Sequence, residues 1–137
     1  MRRADDSGQV TVFVVGIMVA LLLLAGLVVD GGDVLAAREM AIDNAEAAAR
    51  AGAQAISISS YRSSGEVVLD PAAAESAADS YLRGVGDQGT VTVSGDTVTV
   101  TVRLRQPLAI LSIVGIPSLT VTGTGSAVPV LGPGAAP

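Results

Sequence analysis

Apolar and polar positions divide this chain sharply. From Val10 to Val29 no residue is charged and only Thr11 has a polar side chain; fourteen of these twenty are Val, Leu, Ile or Phe. A helix rises about 1.5 Å per residue, so twenty residues reach about 30 Å, the thickness of a bilayer's hydrocarbon core. Each large aliphatic residue favours insertion by roughly 0.3–0.6 kcal/mol near the membrane centre, and no charge opposes it. A soluble helix apolar on every side would need a core on every side. The roughly 107 residues that follow Asp30 are too few to supply one. The pattern therefore predicts a transmembrane helix over residues 9–30, behind a short tail of residues 1–8.

Asp30-Gly31-Gly32-Asp33 then interrupts the run, and two glycines cost about 2 kcal/mol of helix propensity relative to alanine. This predicts a bend, with Asp33 capping a restarted helix. The alanine-rich stretch to about Ile58 keeps a narrow seam: Leu35, Ile42, Ala49 and Ile56 recur every seven residues, joined by Ala45 and Gly52. Glu46 and Arg50 make an i,i+4 pair off that seam. Ser57 to Gly65 reads as a loop and residues 66–69 as a short strand. Asp70-Pro71 starts a second helix, an N-cap followed by proline at the first helical position, running to Arg83 with Gly84 as its stop. Ala74, Ala77, Ala78, Tyr81 and Leu82 would face inward.

Period-two alternation over residues 90–105 is the clearest strand signal. Val91 and Val93, then Val98, Val100, Val102 and Leu104, alternate with Thr and Arg, and Gly95-Asp96 fits a two-residue hairpin turn. Pro107 to Gly115 is apolar but too short to cross a bilayer; it reads either as a short helix closing the core or as a patch on the membrane surface. Alternation resumes from Ser118 to about Val128, with Leu119 and Val121 inward and Gly123 and Gly125 weakening it. The fold class is α+β: a transmembrane helix, a continuing helix over 31–58, a small domain over 59–128 with a second helix and about three antiparallel strands, and a loose tail over 129–137. The apolar face of the sheet must lie on something. The seam and the inner face of the second helix are the surfaces available.

Charge and composition narrow the chemistry. Arg2 and Arg3 precede the span, whereas Asp30 and Asp33 follow it and Arg38 is the first downstream positive charge. The basic bias keeps the N-terminus in the cytoplasm and exports the rest. The length of the apolar run and the lack of small residues at Val28-Val29-Asp30 argue against a cleaved secretory signal. A net charge of −5 without a basic cluster argues against nucleic-acid binding. Histidine and cysteine are absent, which removes Ser–His pairs, thiolate chemistry and the commonest metal ligands. No catalytic, cofactor or metal site and no small-molecule substrate is expected. Gly84-Val85-Gly86-Asp87-Gln88-Gly89 has the spacing of a dinucleotide loop but follows a helix and precedes a strand, the reverse of what that loop requires. Asp30 and Asp33 read as a membrane-boundary carboxylate and a helix cap, or as an acidic site for a partner's basic residue. Gly16 and Ala20 form a small-xxx-small pair able to bring spans together.

The run Asp6-Ser7-Gly8-Gln9-Val10-Thr11-Val12-Phe13, the step Val29-Asp30-Gly31-Gly32 and the stretch Ala41 to Ala53 around Asn44-Ala45-Glu46-Ala47-Ala48-Ala49 resemble TadE/TadG-type proteins of the Flp (tight-adherence) pilus system. The resemblance covers roughly residues 6–53. It implies a membrane-anchored, pilin-like component that acts with a secretion ATPase, an inner-membrane platform and related pilin-like subunits. Its mechanism would be helix packing within membrane lipid, with Asp30 setting register between neighbours. A binding module for a ligand or envelope component, tethered by the same span, is the alternative. Gly8-Gln9 is the candidate processing site. Cleavage there would place Phe13 at the fifth mature position, where processed prepilins carry Glu, so the TadG-like branch that keeps its anchor fits better. N-terminal sequencing of the mature protein should accordingly find no cut between Gly8 and Gln9.

Overall fold

The computed structural model describes residues 6–130; of the terminal tails, residues 1–5 (with Arg2 and Arg3) and 131–137 lie outside the described residues. The element order is α1 (Asp6–Ala53), α2 (Ile58–Ser64), α3 (Pro71–Val85), β1 (Gln88–Ser94), β2 (Thr97–Pro107), a 3-10 turn (Leu111–Val114) and β3 (Ser118–Ala127). The chain is α+β, as its pattern predicts. It divides into two compact units, residues 6–35 with 106–119 and residues 36–105 with 120–130.

In the first unit, the apolar stretch of α1 exposes its side chains on all sides: Val12, Phe13, Leu22 and Val28 are all more than half exposed. The helix is not interrupted at Gly31-Gly32, which corrects the predicted break. Neither glycine has a positive φ, and both face open space. Asp33 is therefore an exposed residue inside the helix and caps nothing. Helix formers flank the glycine pair on both sides, and the propagation they supply outweighs a local deficit of about 2 kcal/mol.

The second unit has a three-stranded sheet in the order β1-β2-β3. The β1–β2 register runs from Gln88 opposite Arg103 to Ser94 opposite Thr97. Its two-residue turn has a positive φ only at Gly95, the first central position, which is the II′ pattern that matches strand twist. On the other side of β2, hydroxyl pairs join Thr99 to Ser126 at 3.0 Å and Thr101 to Thr124 at 3.3 Å, an antiparallel progression. The inner face carries Val98, Val100 and Val102, which are fully buried among Ala41, Ala45, Ala48, Ala49 and Ala53 of α1 and Ala74, Ala78 and Leu82 of α3. The sheet thus lies on the two helices, as its alternation requires.

Local punctuation departs from the sequence reading in several places. Ser57 to Gly65 is a short helix instead of a loop. Ser57 is its N-cap, accepting from the Ser60 N–H, and Gly65 closes it at φ 73°. Residues 66–69 form no strand; a single bridge joins Leu69 to Ile56. Helix α3 runs to Val85, two residues past its expected end at Arg83. Gly84 stays helical, and Gly86 terminates the helix at φ 80° with a Schellman pair of bonds, Gly86 N–H to Arg83 O and Asp87 N–H to Leu82 O. Asp70 caps the other end through the Ala73 N–H at 3.2 Å. Leu119 is exposed instead of inward, whereas Val121 is buried.

The largest departure concerns Gly123 and Gly125. They are buried on the inner side of β3. A Cβ on Gly123 would collide with the backbone of Ala41 and Ile42, and one on Gly125 with the backbone of Ala45 and Glu46. Glycine here marks a close backbone approach, not a weak strand. Gly123→Ala and Gly125→Ala should therefore each destabilise the protein by about 1–3 kcal/mol through overpacking. Gly84→Ala, in open space on α3, should be neutral or stabilising by up to about 1 kcal/mol. Denaturant titration of the full chain in detergent micelles would check the contrast.

Candidate functional site

The polar centre of the first unit is Asp30. It is the one buried polar or charged residue among the described residues, at 1% exposure. Helix α1 aims its carboxylate at the backbone leading into the 3-10 turn. Oδ1 accepts from the Ala109 N–H at 3.0 Å and from Ile110 at 3.3 Å; Oδ2 accepts from Ile110 at 3.0 Å and from Leu111 at 2.6 Å. Three successive N–H groups that would otherwise be orphaned at the start of a helical turn converge on one carboxylate. Bonds to a charged acceptor are stronger than neutral ones, and both oxygens are occupied.

One turn earlier on α1, Gly26 removes the side chain that would strike Ile110. Gly26 and Asp30 are four residues apart and so share a helix face. One admits the loop and the other holds it. The loop closes on itself through Leu108 N–H to Pro117 O at 3.0 Å, Ile116 N–H to Leu111 O at 3.1 Å and the Ser112 hydroxyl to Ala109 O at 2.7 Å. Gly115, at φ 95°, ends the turn. Pro107 to Gly115 therefore contains a short helical turn, but one that buries none of its residues and does not close the core.

The remaining candidate residues scatter. Gly8, Gln9, Gly16 and Ala20 are exposed on α1, and a Cβ at Gly16 would meet nothing within 4 Å. Of the heptad positions, Ala49 is buried, Ile42 half-buried and Leu35 65% exposed; Ile56 lies beyond the end of α1. Ala45 and Gly52 of the expected seam are buried with Ala49, and the buried stripe continues through Ala37, Ala41 and Ala48. Seven residues fall about 20° short of two full turns, so a strict heptad drifts off the face that a straight helix presents.

Asn44 was not singled out by the sequence reading, although it lies in the stretch that carries the family resemblance. Its side-chain amide donates to Asp87 Oδ2 at 2.6 Å, joining α1 to the residue that follows the α3 C-cap. The segment with dinucleotide-loop spacing is accordingly structural. Gly86 terminates α3, and Gly89 allows close approach: a Cβ there would lie 2.8 Å from both Leu82 Cδ1 and the Thr101 carbonyl oxygen. Glu46 and Arg50 meet at 3.3 Å on the surface, a contact worth little. Among the described residues no three acidic side chains converge on a point able to hold a metal ion. What the Asp30 arrangement can do is hold backbone: it is an acceptor with its capacity filled.

Residues 8–55, about a third of the chain, match the model of the TadE/G-like Flp pilus-assembly family. The resemblance carried by residues 6–53 and the matched segment coincide almost completely, and both contain Asp30 and Asn44. No curated protein and no solved structure matches the chain.

The clamp has a measurable signature. Asp30→Ala removes the acceptor of three N–H groups at a cost of about 1–3 kcal/mol or more. Hydrogen exchange on the full chain in micelles should show lost protection at Ala109, Ile110 and Leu111. Exchange at the core strand residues Val98, Val100 and Val102 should stay slow.

Proposed function

We propose that this chain is a non-enzymatic, single-pass membrane component of Flp-type pilus assembly, or of a related secretion apparatus. One observation carries the reading. The segment that matches a pilus-assembly family is also a helix whose apolar side chains are exposed all round over some 30 Å. An 18-residue window of that helix has a mean hydropathy of 3.1 and is only 6% buried. Water is a poor solvent for that surface and lipid a good one. The basic residues Arg2 and Arg3 favour a cytoplasmic N-terminus, with residues 31–128 outside.

The chain acts by packing. Gly16 and Ala20 leave a flat place on the span where a second helix of a related subunit can approach closely. Beyond the span, the alanine stripe of α1 is covered by the chain's own sheet and α3. Contact between subunits therefore falls to the span and to the outer surface of the small domain. Asp30 serves assembly indirectly, because its acceptors are already taken within the chain. It keeps residues 108–117 in place, and a pilin-like subunit needs that surface held still.

Two measurements test the reading. The full chain should remain in the membrane pellet after alkaline carbonate washing and should co-purify with the pilus ATPase and platform proteins. Asp30→Ala should reduce piliation of cells that carry it in place of the native chain. Recovery in the aqueous fraction would remove the membrane role. Unchanged piliation after deletion of the whole chain would remove the assembly role.

A further inference from the structure

We infer that residues 108–117 form a second, shallow membrane contact: a lipid-facing loop seated at the bilayer interface beside the outer end of the span. The inference rests on the proposed reading that α1 crosses the membrane. Three independent features of the first unit point to it.

The loop's surface is apolar. Ile113 is 83% exposed, and Val114 and Ile116 are about half exposed. The sequence places no charged side chain from Gln106 to Pro137, so no charge in the loop opposes its transfer toward lipid. Three neighbouring aliphatic side chains displayed on one short turn are an unusual surface to leave in water.

The loop's depth is set. The Asp30 carboxylate ties residues 109–111 to the first position after the apolar run, and Ile110 seats on Gly26, one turn inside it. A turn of helix is about 5.4 Å, so the seat of Ile110 is about that far toward the membrane centre from Asp30. Ile113, Val114 and Ile116 follow three to six residues after that seat in the same short loop, which brings them near the boundary between headgroups and acyl chains.

Most of the loop's backbone N–H groups are already satisfied within the protein. Irregular backbone is tolerated at membrane depth only where its N–H and C=O groups find partners within the protein. The N–H groups of residues 108–111 bond to Pro117 O or to Asp30, and those of Ile113, Gly115 and Ile116 bond to carbonyls of the same loop. In a loop designed for water, water could serve several of these. Here the two oxygens of a buried carboxylate take three N–H groups, an arrangement suited to a water-poor setting. The occupant committed to is therefore lipid of the same bilayer that α1 crosses.

The chain contains no cysteine, so single spin labels report cleanly. The full chain would be reconstituted in phosphatidylcholine/phosphatidylglycerol vesicles with a nitroxide on Ile113→Cys, Leu22→Cys (the span) or Thr92→Cys (an exposed strand position). Collisional accessibility would be read with oxygen, which concentrates in lipid, and with a nickel chelate, which stays in water. The oxygen-to-nickel ratio at position 113 should be several-fold higher than at position 92 and lower than at position 22. A high ratio at 22 with a ratio at 113 equal to that at 92 would overturn the lipid-facing loop while leaving the span intact. A low ratio at 22 would overturn the transmembrane reading and this inference with it.

Discussion

Closeness substitutes for bulk in this molecule. With one Phe, two Tyr and no Trp in the chain, the core of the second unit is built from alanine, valine, leucine and glycine. Small side chains bury little area each, so cohesion has to come from many short contacts at crystal-like density. That requires backbone to approach backbone. Gly52 admits the Ala74 carbonyl and Val98, and Gly123 and Gly125 bring β3 onto the backbone of α1. The alanine stripe and the fully buried valines of β2 fit the same close approach. The same rule operates in the first unit, where Gly26 lets Ile110 seat against α1.

Helix α1 therefore has two halves of opposite surface character. Its first half displays large aliphatic side chains outward. Its second half turns alanines inward and leaves Arg38, Glu39, Asp43, Glu46 and Arg50 on the outside. The change occurs near Asp30, which is buried and fully bonded where the apolar run ends. A carboxylate can sit at that boundary because three backbone donors replace the water it has lost. Removing the donors would leave an unpaired buried charge, and removing the charge would leave three unpaired donors.

Much of the fold was legible because its signals are periodic. The apolar run, the hairpin valines and the capping pair Asp70-Pro71 each follow from local geometry, and the α+β class follows from them. What escaped was mostly non-local or concerned glycine, apart from the short serine-rich helix capped by Ser57. A glycine pair predicts a break unless neighbours over-rule it, and at Gly31-Gly32 they do. A glycine in a strand reads as weakness until the partner is seen, and at Gly123 and Gly125 the partner is a helix backbone. Asp30 could be marked as unusual by its position alone, but its donors lie 79–81 residues away along the chain. No pattern within a helix announces which distant N–H groups a carboxylate will meet. Asn44 was hidden for the same reason, since Asp87 is 43 residues further on.

The separation between Asp30 and its donors also orders events during biogenesis. At about 5–20 residues per second, the ribosome needs on the order of 4–16 s to add the eighty or so residues between them. For that interval the carboxylate has none of its backbone donors, while the rest of the domain is still being made. The tie closes only after β2 has been synthesised and the turn beyond it can form. It can thus form only late in synthesis, and until then Asp30 lacks the three N–H groups that hold it in the finished chain.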